Sequence, residues 1–167
     1  ESARILLSRV GDWESAGRAF KAAIEAGLDP LTTPKGYADV IASQGHFTAL
    51  RDLLVARAES LDGAGAIEAY QDAAIVERTH LSNDAKAVEM LNKALALRND
   101  WFTLRLLREL HYKAQDWPGL VDTLDRMADL CEGARRARCK VEQGRIRESE
   151  LADLEGAKTA YGEALEA

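Results

Sequence analysis

Three histidines, His46, His80 and His111, stand 34 and 31 residues apart. An imidazole lone pair can ligate zinc, but zinc takes three or four ligands at tight local spacing. The sequence has no CxxC and no HxxxH, so no metal site and no cofactor is expected. His46 reads as a loop residue and His80 as a helix-end residue. Cys131 and Cys139 are too few for a disulfide framework, and a turn at Glu132-Gly133-Ala134 lies between them. They read as free thiols.

Two further stretches invite a sharper chemistry. Asp62-Gly63-Ala64-Gly65-Ala66 precedes a helical pattern, and backbone amides at a helix start can cradle an anion. The stretch follows a helix rather than a strand and no GKS or GKT follows it, so it reads as a turn with a cap. Arg135, Arg136, Arg138, Lys140, Arg145 and Arg147 make a locally basic stretch, interleaved with Glu132, Glu142, Glu148 and Glu150. A solvated helix laced with ion pairs accounts for it; a patch for an anionic partner is the sharper option. No nucleophile–base pair stands out anywhere, and a non-catalytic role is expected.

These residues sit in a chain of 167 residues, 30% of them charged, with a formal net charge of −6 and a mean hydropathy of −0.27. A nucleic-acid binder would more often be positively charged, to neutralise phosphates. The apolar runs are only a few residues long, so no membrane insertion is expected. No signal peptide is visible, which points to a cytoplasmic location. The chain opens at Glu1 directly into a helical pattern and stops inside another, at Glu163-Ala164-Leu165-Glu166-Ala167. Both ends read as cut, and a piece of a longer repeat protein is expected.

The elements that position these residues recur. Five segments align, ending at Ala16, Leu50, Ala87, Leu120 and Ala157, with steps of 34, 37, 33 and 37. Each opens a helix. Asp12, Asn83, Asp116 and Asp153 stand where a side-chain oxygen can cap the first-turn amides, and Pro118 falls in a first turn, where its missing N–H costs nothing. His46 is a poorer cap. The helix that follows keeps apolar residues at i, i+4, i+7 and i+8: Ala16, Phe20, Ala23 and Ile24; Ala87, Leu91, Ala94 and Leu95; Ala157, Tyr161, Ala164 and Leu165. That spacing is one helical face. Alternating small and large residues let a partner helix approach and fill the groove beside it.

Other helices lie between. The spacing predicts them at Pro34–Ser43, capped by Thr33; at Ala64–Leu81, with Ile67, Tyr70, Ala74 and Leu81 on one face; at Trp101–Ala114, with Leu104, Leu107 and Leu110; and at Ala134–Leu151, with Ala137, Val141, Gly144 and Leu151. Breaks fall at Gly27-Leu28-Asp29-Pro30, Leu61-Asp62-Gly63, Asn99-Asp100 and Glu132-Gly133. The count is about ten helices and no strand. The repeats run 1–29, 30–62, 63–99, 100–132 and 133–167, in a single domain. Short and long steps alternate, so the unit reads as a pair of repeats of about 70 residues. At an offset of 70, Phe47 meets Trp117, Leu50 meets Leu120, Leu54 meets Leu124, Ala58 meets Ala128, Gly63 meets Gly133, Ala74 meets Gly144 and Leu81 meets Leu151. The long step should add about one turn to the first helix of repeats three and five, and those helices should protrude at equivalent places. Trp13, Phe47 and Trp117 share one position and read as packing residues between repeats.

This pattern resembles the tetratricopeptide repeat, a unit of about 34 residues with small and large apolar residues at set places. Ala16, Phe20 and Ala23, then Ala87, Leu91 and Ala94, then Ala157, Tyr161 and Ala164 match its second half, and Asp29-Pro30 resembles its terminal turn. The first half departs: Ala38, Ala74 and Gly144 fill the small position, but Arg108 stands there in repeat four, and His111 stands where Tyr is usual. Leu50 and Leu120 replace a small Ala. The resemblance implies a degenerate, bacterial-type array, all-α, wound as a right-handed α–α superhelix of about five repeats whose first helices line a concave face.

By that alignment the inward-facing residues are Lys35, Asp39, Gln71, Arg78, Arg105, Glu109, Tyr112, Arg138 and Arg145. Some family members clamp a terminal carboxylate at such positions with Lys, Asn and Arg. This chain lacks the Asn pair, and Asp39 and Glu109 would repel a carboxylate. The expectation is a non-catalytic scaffold that binds a partner protein or peptide along the concave face, in a mixed-charge groove. An RNA-associated helical-repeat module of the half-a-tetratricopeptide kind, and a structural or self-assembling spacer in a larger protein, are the alternatives.

Overall fold

A computed structural model of the chain describes residue 22 and residues 45–167. The expected helix at Pro34–Ser43, the first repeat with Asp12 and Trp13, and the site candidates Lys35 and Asp39 lie outside the described residues. Seven α-helices and no strand occur among the described residues: α1 (Phe47–Ser60), α2 (Gly63–Thr79), α3 (Asp84–Leu97), α4 (Trp101–Ala114), α5 (Trp117–Asp129), α6 (Gly133–Ser149) and α7 (Leu154–Glu166). No described helix is long and apolar enough to cross a membrane. By packing, the chain divides into two compact units, residues 1–98 and 99–167.

The offset of 70 residues reaches down to single backbone angles. The described residues with positive φ form three pairs: Gly45 (+76°) with Gln115 (+55°), Gly63 (+59°) with Gly133 (+53°), and Ser82 (+52°) with Ala152 (+53°). Each pair marks the same corner of the chain. At the third corner the hydrogen bonds also match. The amides of His80 and Leu81 both donate to Val76 O, as those of Glu150 and Leu151 do to Ile146 O; the Asn83 amide then reaches Glu77 O, and the Asp153 amide reaches Arg147 O. These bonds absorb the last free carbonyls of the helix and turn the chain. They also end α2 and α6 two residues before Leu81 and Leu151, where apolar spacing alone had carried them. Both helices are 17 residues long against 14 for α4, so the added turn is present in each.

The caps follow the sequence with one exception. Asn83, Asp116 and Asp153 accept from the amides of Lys86, Gly119 and Gly156 at 3.1, 3.1 and 2.9 Å. Asp100 does the same for Thr103 at 2.8 Å. His46 makes no side-chain cap. The exception is Asp62: it stands in extended backbone before α2 without a cap bond, as Glu132 does before α6. A left-handed glycine starts both helices instead, so the Asp62–Ala66 stretch is a turn without its expected cap.

In the unit that ends at Arg98, α2 packs against α1 on one side and α3 on the other. Alanines at 58, 66, 69, 73, 74, 87 and 94 are buried beside Leu50, Leu54, Ile67, Tyr70, Leu91 and Leu95, so helix axes can approach closely. Phe47 stacks on the His80 ring with centroids 3.7 Å apart. Among the described residues of this unit the one buried carboxylate, Glu77, is ion-paired to Arg51.

In the unit that begins at Asn99, α5 packs on α4, and α6 packs on both α5 and α7. Leu104, Leu107, Leu110, Leu120, Leu124, Met127 and Ala128 are buried. Gly144 faces the Tyr161 ring so closely that a Cβ there would lie 2.6 Å from it. Beyond this, α6 is held by charge. The Lys140 side chain is 7% exposed, with its Nζ 2.5 Å from Asp125 Oδ1 on α5 and 2.6 Å from Glu163 Oε2 on α7. Gln143 Nε2 donates to Val121 O at 3.3 Å, and Arg147 Nη1 donates to Asp153 Oδ2 at 2.7 Å. Ala137 and Val141, expected on the core face, are half-buried, because this polar edge has taken the packing side of α6. Of the expected apolar face of α7 (Ala157, Tyr161, Ala164 and Leu165) only Ala157 is buried, and the other buried residue of the helix, Ala160, lies off that pattern. Leu165 is 90% exposed where its equivalent, Leu95, is 5% exposed.

Two outcomes follow from these corners and ion pairs. A Cβ on Gly133 would meet nothing within 4 Å, so Gly133→Ala carries only the cost of left-handed backbone, a loss of about 1 kcal/mol in urea unfolding. The Asp125 carboxyl lies below its ordinary 3.8: burial acts to raise it, but the hydrogen bond and charge of Lys140 outweigh that, with Gln143 and Arg147 assisting. Asp153 is lowered by the Gly156 amide and Arg147. A carboxyl whose folded pKa is depressed stabilises the fold above its unfolded pKa and loses that contribution as the pH falls through the folded value. Urea midpoints of the wild type should therefore hold at neutral pH and drop below about pH 3.8, and an Asp125→Asn, Asp153→Asn variant should show a shallower drop.

Candidate functional site

The α4–α5 corner sets one wall of a groove. At its turn, Gln115 adopts left-handed backbone and Asp116 caps α5. The second carboxylate oxygen of Asp116 lies 2.7 Å from His111 Nδ1. Gly119 leaves the space for this arrangement, since a Cβ there would collide with Asp116 Oδ2 and lie 2.7 Å from the imidazole. The same corner holds Tyr112, which is 65% exposed and meets Trp117 edge-on, with centroids 5.9 Å apart.

The opposite wall is α6. An open groove of about 690 Å³ is lined by Tyr112 from α4 and by Ala137, Arg138, Val141, Glu142, Arg145 and Ile146 from α6. The half-buried Ala137 and Val141 and the buried Ile146 supply its apolar wall. Arg138 and Arg145 are exposed, and neither forms an ion pair among the described residues. Glu142 differs: Arg108 reaches it from α4, with Nη2 2.7 and 2.9 Å from the two carboxylate oxygens and Nε 3.2 Å from the first. Arg108 thus bridges α4 and α6.

Of the nine residues expected on one inner face, the structure brings Tyr112, Arg138 and Arg145 together in this groove. Arg105 and Glu109 are exposed on α4 but outside its lining. Arg105 lies over the Phe102 ring, 5.2 Å from the centroid. Gln71 and Arg78 are half-buried on α2, in the other unit. Sequence reasoning missed Ala137, Val141 and Glu142. The two apolar residues looked like core, and the acid looked like one of many surface charges. A signal was present for Glu142: it stands 34 residues after Arg108, one repeat on.

The basic stretch divides in two. Lys140 and Arg147 turn toward α5 and the α6–α7 corner, where with Asp125, Gln143 and Glu163 they line a small polar cleft of about 190 Å³. Arg135, Arg136, Arg138 and Arg145 are exposed. Cys139 is buried and Cys131 half-buried, both as free thiols; burial pushes the Cys139 thiol up, and the neighbouring Cys131 and Glu142 add to it. Among the described residues no group of three or more His, Cys, Asp or Glu side chains could hold a metal ion.

By sequence, the chain matches no protein-family model and no curated protein. In structure it is similar to MamA, a tetratricopeptide-repeat-containing protein known from a crystal structure. The two share a TM-score of 0.54 and 17% identity, over 93% of this chain and 88% of that one. At that identity the likeness bears on fold, which is a tetratricopeptide-like helical repeat.

The crowding at Gly119 is open to measurement. Gly119→Ala should displace the Asp116 cap and the His111 ring together. It should cost more than the ~1 kcal/mol of a lost cap, read by thermal unfolding against Asp116→Ala.

Proposed function

We propose that this chain is a non-catalytic interaction module that holds a segment of a partner protein in the groove between α4 and α6. The observation that carries this reading is the groove itself: an apolar wall that includes the half-buried Ala137 and Val141, rimmed by Tyr112, Arg138 and Arg145. Apolar surface gathered in a concavity and ringed by polar groups is the usual form of a recognition site. An exposed tyrosine supplies contact area at low entropic cost. A tetratricopeptide-like fold suits the role, because stacked first helices present such surfaces in series. In this reading the described helices belong to a right-handed solenoid of about five repeats, with the groove on its inner face.

The test is a display selection of random peptides of about 16 residues, enough to span ~24 Å as a helix, on the immobilised chain. Binders should weaken about tenfold, ~1.4 kcal/mol, on Tyr112→Ala and on Ala137→Arg, which fills the groove from its wall. Circular dichroism checks that both variants fold. Binders that hold equally well to both variants would place recognition elsewhere.

A further inference from the structure

We infer that the segment held in this groove is acidic, with side-chain carboxylates on both sides of an apolar residue; the inference rests on the groove reading above. The chain as a whole is acidic, at −6, yet the groove is not. Arg138 and Arg145 are seven residues apart on α6, which puts them on one side of the helix and about 10 Å apart along it. Both are exposed and without an ion pair among the described residues, and Arg135 continues the same side one turn earlier. The one acid of the groove lining, Glu142, lies between them and is held by both oxygens in the Arg108 fork. Its charge is thereby answered from within the chain. Arg138 and Arg145 are left as the open charges of the lining.

Between the two arginines the wall is apolar, at Val141, with Ala137 and Ile146 beside it. A complementary segment would set one apolar side chain against this wall and direct a carboxylate to each guanidinium. A spacing of about 10 Å between carboxylates corresponds to seven residues in a helix or three in an extended strand. Guanidinium–carboxylate pairs are charge-assisted and directional, so register is set as well as affinity. A nucleic acid fits less well. Its phosphates would pass over the apolar wall and beside Glu142, with Tyr112 as the one aromatic ring of the lining available for stacking.

The experiment compares three synthetic peptide pools of equal length by fluorescence anisotropy with the whole chain. Each has a randomised apolar residue at its centre, and the flanking positions are Glu, Gln or Lys. A uridine oligonucleotide of matched charge is the fourth probe. The Glu pool should bind at least tenfold more tightly than the Gln pool at low salt, and the gap should narrow as salt screens the pairs. An Arg138→Gln, Arg145→Gln variant should bind the Glu and Gln pools alike, closing the gap between them. Equal or tighter binding by the Gln or Lys pool overturns the acidic partner and leaves the groove reading standing. Tighter binding by the oligonucleotide overturns it in favour of nucleic acid. Binding by none of the four overturns the groove reading along with it.

Discussion

The Lys140 ammonium is the constraint on which the second unit turns. It is nearly closed off from water, and it is answered by carboxylates on the helices before and after its own, Asp125 and Glu163. A buried ammonium without such partners would be prohibitive, and two acids from different helices can reach it only in one arrangement. Both acids keep part of their surface in water, so the desolvation cost falls mainly on the lysine. Burial works against its charge, but the hydrogen bonds and charges of Asp125 and Glu163 raise its pKa above the ordinary lysine value. The charged form is thus the form the fold holds. Arg147–Asp153 and Gln143–Val121 extend the same edge of α6, giving it three polar ties to its neighbours.

That edge determines what the rest of α6 does. A helix fixed on one side by Lys140, Gln143 and Arg147 turns Arg138, Val141, Glu142 and Arg145 toward α4. The groove is therefore a consequence of the ion-pair edge on the other side of the same helix. Arg108 then ties the mouth together, linking α4 to α6 through Glu142. Coupling of this kind, in which a buried polar contact orients a recognition surface, trades some stability for specificity.

The internal duplication gives the corners their logic. Residues 45–97 and 115–167 share three left-handed positions, two long helices that start on glycine, and matching carbonyl-sharing ends. Where glycine occupies the left-handed position, as at 63 and 133, the conformation carries no side-chain penalty. At Ser82 and Ala152 an ordinary residue adopts it, because two amides bonded to one helical carbonyl hold the turn shut. The same corner is thus kept by composition in one place and by hydrogen bonding in another. In the sequence, α4, the helix that carries Tyr112 and Arg108, falls between the two copies.

Much of this was legible in the residues alone. Period, helix count over the described span, three aspartate and asparagine caps, the two lengthened helices and the correspondences at 70 residues all follow from spacing, because they rest on local geometry and on which side chains avoid water. Tyr112, Arg138 and Arg145 were grouped on one face by the resemblance to the tetratricopeptide repeat, not by spacing alone. Three things were decided only by packing. Helices α2 and α6 stop short of Leu81 and Leu151, since shared carbonyl bonds outrank apolar spacing. Arg108 and Glu142 are partners, which no single-helix pattern can show. And Ala137 and Val141 line a groove instead of the core. Hydrophobic periodicity assigns the apolar side of a helix to the interior and the charged side to water; in α6 the charged side is the one pulled inward, because Asp125 and Glu163 stand ready for Lys140 on helices that only the folded chain brings to it.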